Sequence, residues 1–305
     1  MIKTRWKVIT VIFTTCLVGL GVFYLCYPKP KTSFAFNPIE LKKQRLPGKK
    51  SIPQRTLINH HLGIVLGKNQ STISKIKSVD LIPLDLSYAE QKTAIEFIKN
   101  SPNGTGEYVV KNNLMNRLVA QNKPIPNMNE AFISIASDKN QDIVVRAYAL
   151  QHLRPLYEKK QDIAIKDFFY EAMKEEDTEV AGGAMLALHY LMNHEEYGSE
   201  FDRTLVIQQA KKIALNDLAN NNNRITAIQV ASDTSDPELL DGLRKIISNK
   251  NCHSALRISA IAGLGAIGDE SDIASLMVIV QSRNFEKKAA SAAIKRISNR
   301  RSIFR

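Results

Sequence analysis

The sequence predicts an all-α protein in which about five to six helix pairs stack into an α-α superhelix behind an N-terminal transmembrane helix. Three observations predict it. Twelve segments with the 3.6-residue apolar period follow one another from residue 87 to 298. A register of a mostly basic position followed by small and large apolar residues recurs in every second segment from residue 143 onward. Residues 8–27 (VITVIFTTCLVGLGVFYLCY) carry no charge, and at about 1.5 Å per residue they cover the roughly 30 Å hydrocarbon layer of a bilayer.

Composition agrees with a folded chain. Of 305 residues, 44% are hydrophobic and 24% charged, which is ordinary for a protein with a core and unlike a disordered one. Three cysteines cannot staple a small scaffold, and 14 Gly, 11 Pro and one Trp do not make a collagen-like, Pro-rich or aromatic-girdled barrel chain. The net charge of +12 is concentrated at the ends: residues 1–55 contribute +10 and 283–305 contribute +7, leaving −5 between them. Clustered Lys and Arg would suit nucleic acid or anionic lipid headgroups, but an acidic middle argues against nucleic acid.

Taken in order, residues 1–7 form a basic tail (Lys3, Arg5, Lys7) expected in the cytoplasm, and 8–27 form a membrane anchor or uncleaved signal flanked by Trp6, Tyr24 and Tyr27. A signal cleaved after Ala35 is the alternative, with Ser33 at the other small-residue position and Lys29 and Lys31 against it. The short tail places the following domain outside the cytoplasm, in the periplasm of a single-pass membrane protein. Five basic residues after the span against three before it favour the opposite orientation. Residues 28–55 are rich in Lys and Pro and read as a stalk. Residues 56–86 (TLINHHLGIVLG, TISKIKSVDLIPLDL) show short apolar runs bounded by Gly and Pro, read as a small irregular or two-stranded β element.

Helices are predicted at 87–100 and 106–121, a divergent capping pair within 87–124. Those at 129–137, 143–153, 161–174, 179–192, 201–218, 224–231, 237–248, 255–267, 272–281 and 285–298 build a repeat domain over 125–298, followed by a basic tail at 299–305. Breakers such as Pro124, Asn140, Asp177, Asp236, Pro237 and Gly268 separate them. The clearest unit is SALRISAIAGLGAIGDESDIASL at 254–276, with Arg257, small Ala260 and Gly263, and apolar Leu264 and Ile267. The same register recurs at Arg224 with Ala227, and at Arg146 with Ala149 and Leu153. Weaker copies put Ala181 or Lys287 in the basic slot, so successive intervals from Arg146 are 35, 43, 33 and 30 residues. This pattern resembles the HEAT repeat of phycobilisome-lyase-like proteins. The resemblance implies a helical solenoid, an Arg that pairs with turn acids such as Asp142 or Asp269, and a bilin-lyase-like or enzyme-accessory role as one alternative.

No chemical motif survives its context. GLGAIG at 263–268 has the letters of a dinucleotide fingerprint but ends a helix, whereas phosphate capture needs a strand before it and a helix N-terminus after it. His189 and His194 are five apart and off one helical face, and His60 and His61 are adjacent; neither spacing specifies a metal. His152 and His253 read as helix-surface or helix-end residues, and Cys252 beside His253 lacks an orienting partner. No catalytic, cofactor or metal residue is assigned. The expectation is a non-catalytic, membrane-anchored scaffold holding another protein or peptide on its solenoid surface, with nucleic acid a remote alternative and no small-molecule substrate.

Overall fold

The computed structural model describes residues 54–281 and 285–303. Among these there are fourteen α-helices, two short 3₁₀ turns and no strand. The helices are α1 (Gln54–Leu66), α2 (Thr72–Leu81), α3 (Tyr88–Asn100), α4 (Thr105–Val119), α5 (Met128–Ser137), α6 (Ile143–Lys160) and α7 (Ile163–Ala172). They continue with α8 (Glu179–Met192), α9 (Arg203–Leu215), α10 (Asn221–Ala231), α11 (Pro237–Ser248), α12 (Ser254–Ile267), α13 (Ile273–Gln281) and α14 (Lys287–Ile303). The described residues form two compact units: 54–209 with 218–226, and 210–217 with 227–281 and 285–303.

In the first unit the second helices of the pairs form a row, α4 packing on α2, α6 on α4 and α8 on α6, while α1, α3, α5 and α7 each lie against their own partner. The core fills the space between the rows with Ile98, Leu114, Phe132, Ile135, Leu153, Phe169, Met185 and Leu188, none more than 1% exposed. In the second unit α12 packs against α11 and α14, and α13 against α14. Small residues set that last approach: a Cβ at Gly265 would lie 2.8 Å from the Ala293 Cα, so α12 and α14 meet backbone to backbone.

Local chemistry fixes the starts. Ser87 and Glu90 form a reciprocal capping box, while Asp142, Asp162 and Asp236 accept from Val144, Ala164 and Leu239 N–H groups at 2.9, 3.0 and 3.0 Å. Pro237 follows Asp236 at the first helical position, where its missing N–H is not needed.

Several expectations are corrected. Residues 56–86 are not β or irregular but carry α1 and α2. Ile58, Leu62 and Val65 are the buried residues of α1, at 3%, 7% and 0% exposure, and their i, i+4, i+7 spacing is a helical stripe that outweighs the strand preference of the β-branched residues around it. The pair at 87–124 is therefore interior, since α4 is covered by α2. α6 runs past 153 through Pro155 to Lys160, because the carbonyl that Pro155 leaves unpaired belongs to exposed Gln151, which water can serve. Residues 299–303 are the end of α14 rather than a tail, and Arg300 donates to the Gly265, Ala266 and Gly268 carbonyls at 2.8, 2.5 and 2.5 Å, closing the end of α12.

The single-pass membrane placement is also corrected. No helix of the described residues is long and apolar enough to cross a membrane. The span at 8–27, its tail 1–7 and the stalk up to residue 53 lie outside the described residues, so the structure gives the placement no support and it is not carried forward.

Candidate functional site

The recurring basic residue is the first side chain to place. Arg146, on α6, donates from Nε to the Ala136 carbonyl ten residues earlier at 2.8 Å and from one terminal nitrogen to both Glu175 oxygens at 2.9 and 2.8 Å. Arg257, on α12, repeats this: Nε donates to the Ile247 carbonyl, again ten residues earlier, at 3.3 Å, and a terminal nitrogen pairs with Glu286 at 2.9 Å. Each arginine thus closes the end of the helix before it and reaches the acid after the helix that follows. The partners are not the turn acids Asp142 and Asp269. Asp142 is occupied as the cap of α6 and as acceptor from the Tyr108 hydroxyl at 2.7 Å, and Asp269 caps its own turn through Ser271.

The same slot extends to two residues the sequence reading passed over. Lys111, fully buried on α4, donates from Nζ to the Ser101 carbonyl, ten residues earlier, at 2.8 Å and to Asn103 Oδ1 at 2.6 Å. Burial lowers its pKa, against the opposing pull of the Asp142 and Glu107 carboxylates. Lys75, 5% exposed on α2, pairs with Glu107 at 3.1 Å. Where Ala181 leaves the slot empty, Asn223 takes over: it donates to the Glu176 carbonyl at 2.9 Å and to the Thr178 carbonyl, and accepts from Gly182 N–H at 3.0 Å. These contacts tie neighbouring layers together.

The other sequence candidates are placed as follows. The glycines of GLGAIG pack helices: a Cβ at Gly263 would meet Ser232 Oγ at 2.8 Å, and the segment lies in the C-terminal half of α12. No group of three His, Cys, Asp or Glu among the described residues could hold a metal ion. His194 stacks on Tyr197 at 3.9 Å between ring centroids, and His60 and His61 pack edge to face. His253 stands at the N-cap of α12 with no side-chain cap bond, and Cys252 is a free, half-exposed thiol. His152 is not at the surface but 8% exposed, sharing a 2.9 Å hydrogen bond with Asn112 Oδ1, and desolvation pushes its pKa down to about 4.

What remains is a solvent face on the second helices α4, α6 and α8. On α8, Leu186 and Tyr190 stand one turn apart at 45% and 48% exposure. Arg154 of α6 lies over the Tyr190 ring at 4.1 Å and 3.9 Å from Glu158, so its charge is matched locally. Exposed Gln151 and half-buried Tyr148 continue the face on α6, and half-buried Tyr108 and Asn112 continue it on α4. The Asp142 carboxylate raises the Tyr108 pKa and burial raises that of Tyr148, so both phenols keep their protons as donors at neutral pH. The result is a row of rings, carboxamides and phenols whose charges are internally paired. Chemically it can cradle apolar side chains and exchange hydrogen bonds with a peptide backbone. The only sequence signal for it is position: Tyr148 follows Arg146 by two residues, on the side that the buried register leaves to solvent.

No family model and no curated protein matches the chain. Several solved structures are similar, two of them as follows. Human deoxyhypusine hydroxylase in complex with glycerol is 11% identical, with 81% of this chain and 97% of that one covered and a TM-score of 0.36. YibA from E. coli is 15% identical, with 83% and 99% covered and a TM-score of 0.41. Both likenesses concern the arrangement of helices and assign no activity. The expectation that the chain is not an enzyme is nonetheless withdrawn, because one of these similar structures is an enzyme and the helical architecture is no ground for excluding catalysis.

Proposed function

We propose that the chain is a HEAT-like helical solenoid that binds an extended segment of another protein across α4, α6 and α8. The observation that carries this reading is the pair Leu186 and Tyr190, exposed side by side with Arg154 stacked on the ring. Aromatic and Arg side chains are the usual anchors of protein interfaces, because they bury much area at little entropic cost. The surrounding Asn112, Gln151, Tyr108 and Tyr148 supply donors and acceptors that match backbone amides without requiring charge. A photo-crosslinking residue at position 186 or 190 of the full chain should capture a protein partner in cells, and one at Ile163, 65% exposed on α7, should not. Equal capture at all three positions would refute the reading.

A further inference from the structure

The connection between α3 and α4 holds the only Asn-Gly pair of the sequence, Asn103–Gly104. Asn103 is exposed, and its Oδ1 accepts from Nζ of the buried Lys111 at 2.6 Å. Gly104 stands in extended backbone at φ 169°, and a Cβ there would meet nothing within 4 Å. Its N–H donates to no group among the described residues. The fold therefore does not require glycine at 104. What glycine adds is access, since a residue without a side chain lets its backbone nitrogen approach a neighbouring group.

That nitrogen adjoins a polarised carboxamide. Its addition to Cγ of Asn103 puts negative charge on Oδ1, the atom to which the Lys111 ammonium already donates. Loss of ammonia then breaks the Cγ–N bond of the carboxamide and leaves a five-membered cyclic imide. Water reopens the ring, giving aspartate when it attacks Cγ and isoaspartate when it attacks the backbone carbonyl. The sum is carboxamide plus water to carboxylate plus ammonium. We propose that Asn103 is a site of spontaneous deamidation and that its aspartate product becomes the counter-ion of Lys111.

The other layers show what this product supplies. Arg146, Arg257 and Lys75 meet Glu175, Glu286 and Glu107, whereas Lys111 meets a carboxamide and the Ser101 carbonyl. Lys111 has already left water, and a carboxylate at exposed position 103 keeps its own hydration, so pairing adds attraction at little further desolvation. Nearby Asn100, followed by Ser101, is a control. The Ser101 N–H donates to the Phe97 carbonyl at 2.9 Å and the Asn100 amide donates to Glu96 at 3.0 Å, so nucleophile and carboxamide are both held.

The test incubates the full chain for weeks at body temperature in mildly alkaline buffer and maps its peptides by mass spectrometry. Position 103 should gain one dalton and position 100 should not, and Gly104→Ala should slow the gain by about tenfold or more. Asn103→Asp should unfold about 2–4 °C above the fresh wild type. That advantage should disappear as pH falls through the carboxylate range. No mass gain at 103, an equal gain at 100, or an Asn103→Asp midpoint no higher than wild type would each overturn the proposal.

Discussion

The α5–α8 region of one unit and the α11–α14 region of the other are built on the same arginine position, yet they set it in different surroundings: Arg146 is buried and Arg257 is partly open. Arg146 meets Glu175 through both oxygens, and that carboxylate is 25% exposed with Thr178 also at hand. Arg257 meets one oxygen of Glu286, which is 5% exposed and whose other oxygen has no partner. The register offers a further contrast. Six residues after the arginine the first region has buried His152 and the second has Gly263; eight residues after, the first has half-exposed Arg154 and the second has Gly265 pressed on α14. The backbone ladder is thus the constant of the repeat. What each layer can bind or sense depends on which side chains the next layer leaves uncovered.

The largest expected effect breaks the second region. Ending the chain at Gln281 removes α14, uncovers Leu264 and Leu276 and leaves Arg257 without its acid. Aggregation or a loss of about 5 kcal/mol in urea unfolding should follow. Unfolding like the full chain would mean that α14 does not cap the stack.

Next, Arg257→Met strands a buried carboxylate and should cost about 3–5 kcal/mol, with much of it recovered by adding Glu286→Gln. Arg146→Met leaves a carboxylate that water reaches, so about 1–2 kcal/mol is expected. Equal losses at the two sites would erase the contrast between the regions.

The titration of His152 separates them further. Its folded pKa of about 4 lies below the ordinary 6.5, so the unfolded chain takes up a proton first as pH falls. Stability from this group is complete above pH 6.5 and is lost progressively toward pH 4, by a ceiling of about 3 kcal/mol. His152→Gln should flatten that part of the stability profile, measured by urea unfolding at stepped pH; an unchanged slope would place the titration elsewhere.

The smallest effect is expected from Lys288→Gln with Lys295→Gln. Both are exposed, and thermal unfolding should register about 0.5 kcal/mol or less.

Much of this architecture was legible because helical periodicity from residue 87 onward coincides with what the layers bury. VVRAYALQHL and SALRISAIAGLG announce the arginine slot directly. Lys75 and Lys111 escaped because a pattern keyed on Arg misses other long cationic side chains: Lys111 reaches the Ser101 carbonyl at the end of the preceding helix, and Lys75 reaches the Glu107 carboxylate. Residues 54–81 escaped because β-branched residues and Gly63 mask the stripe of Ile58, Leu62 and Val65. The candidate binding face was the least legible part. Phe132 and Phe169 are core while Tyr190 is half open, and helical spacing alone cannot tell them apart; only the packing of α8 on α6 does.

The most direct test of the proposed role compares the two regions in one binding measurement. Peptides selected from a random library on the full chain should be apolar-rich, and their affinity should change by less than about twofold between about 50 and about 500 mM salt, because the α4–α6–α8 face has its charges paired. Leu186→Ser with Tyr190→Ser should weaken them by about tenfold or more, whereas Lys288→Gln with Lys295→Gln should leave them unchanged. Binding that survives the α8 changes and collapses with salt or with the lysine changes would contradict the account.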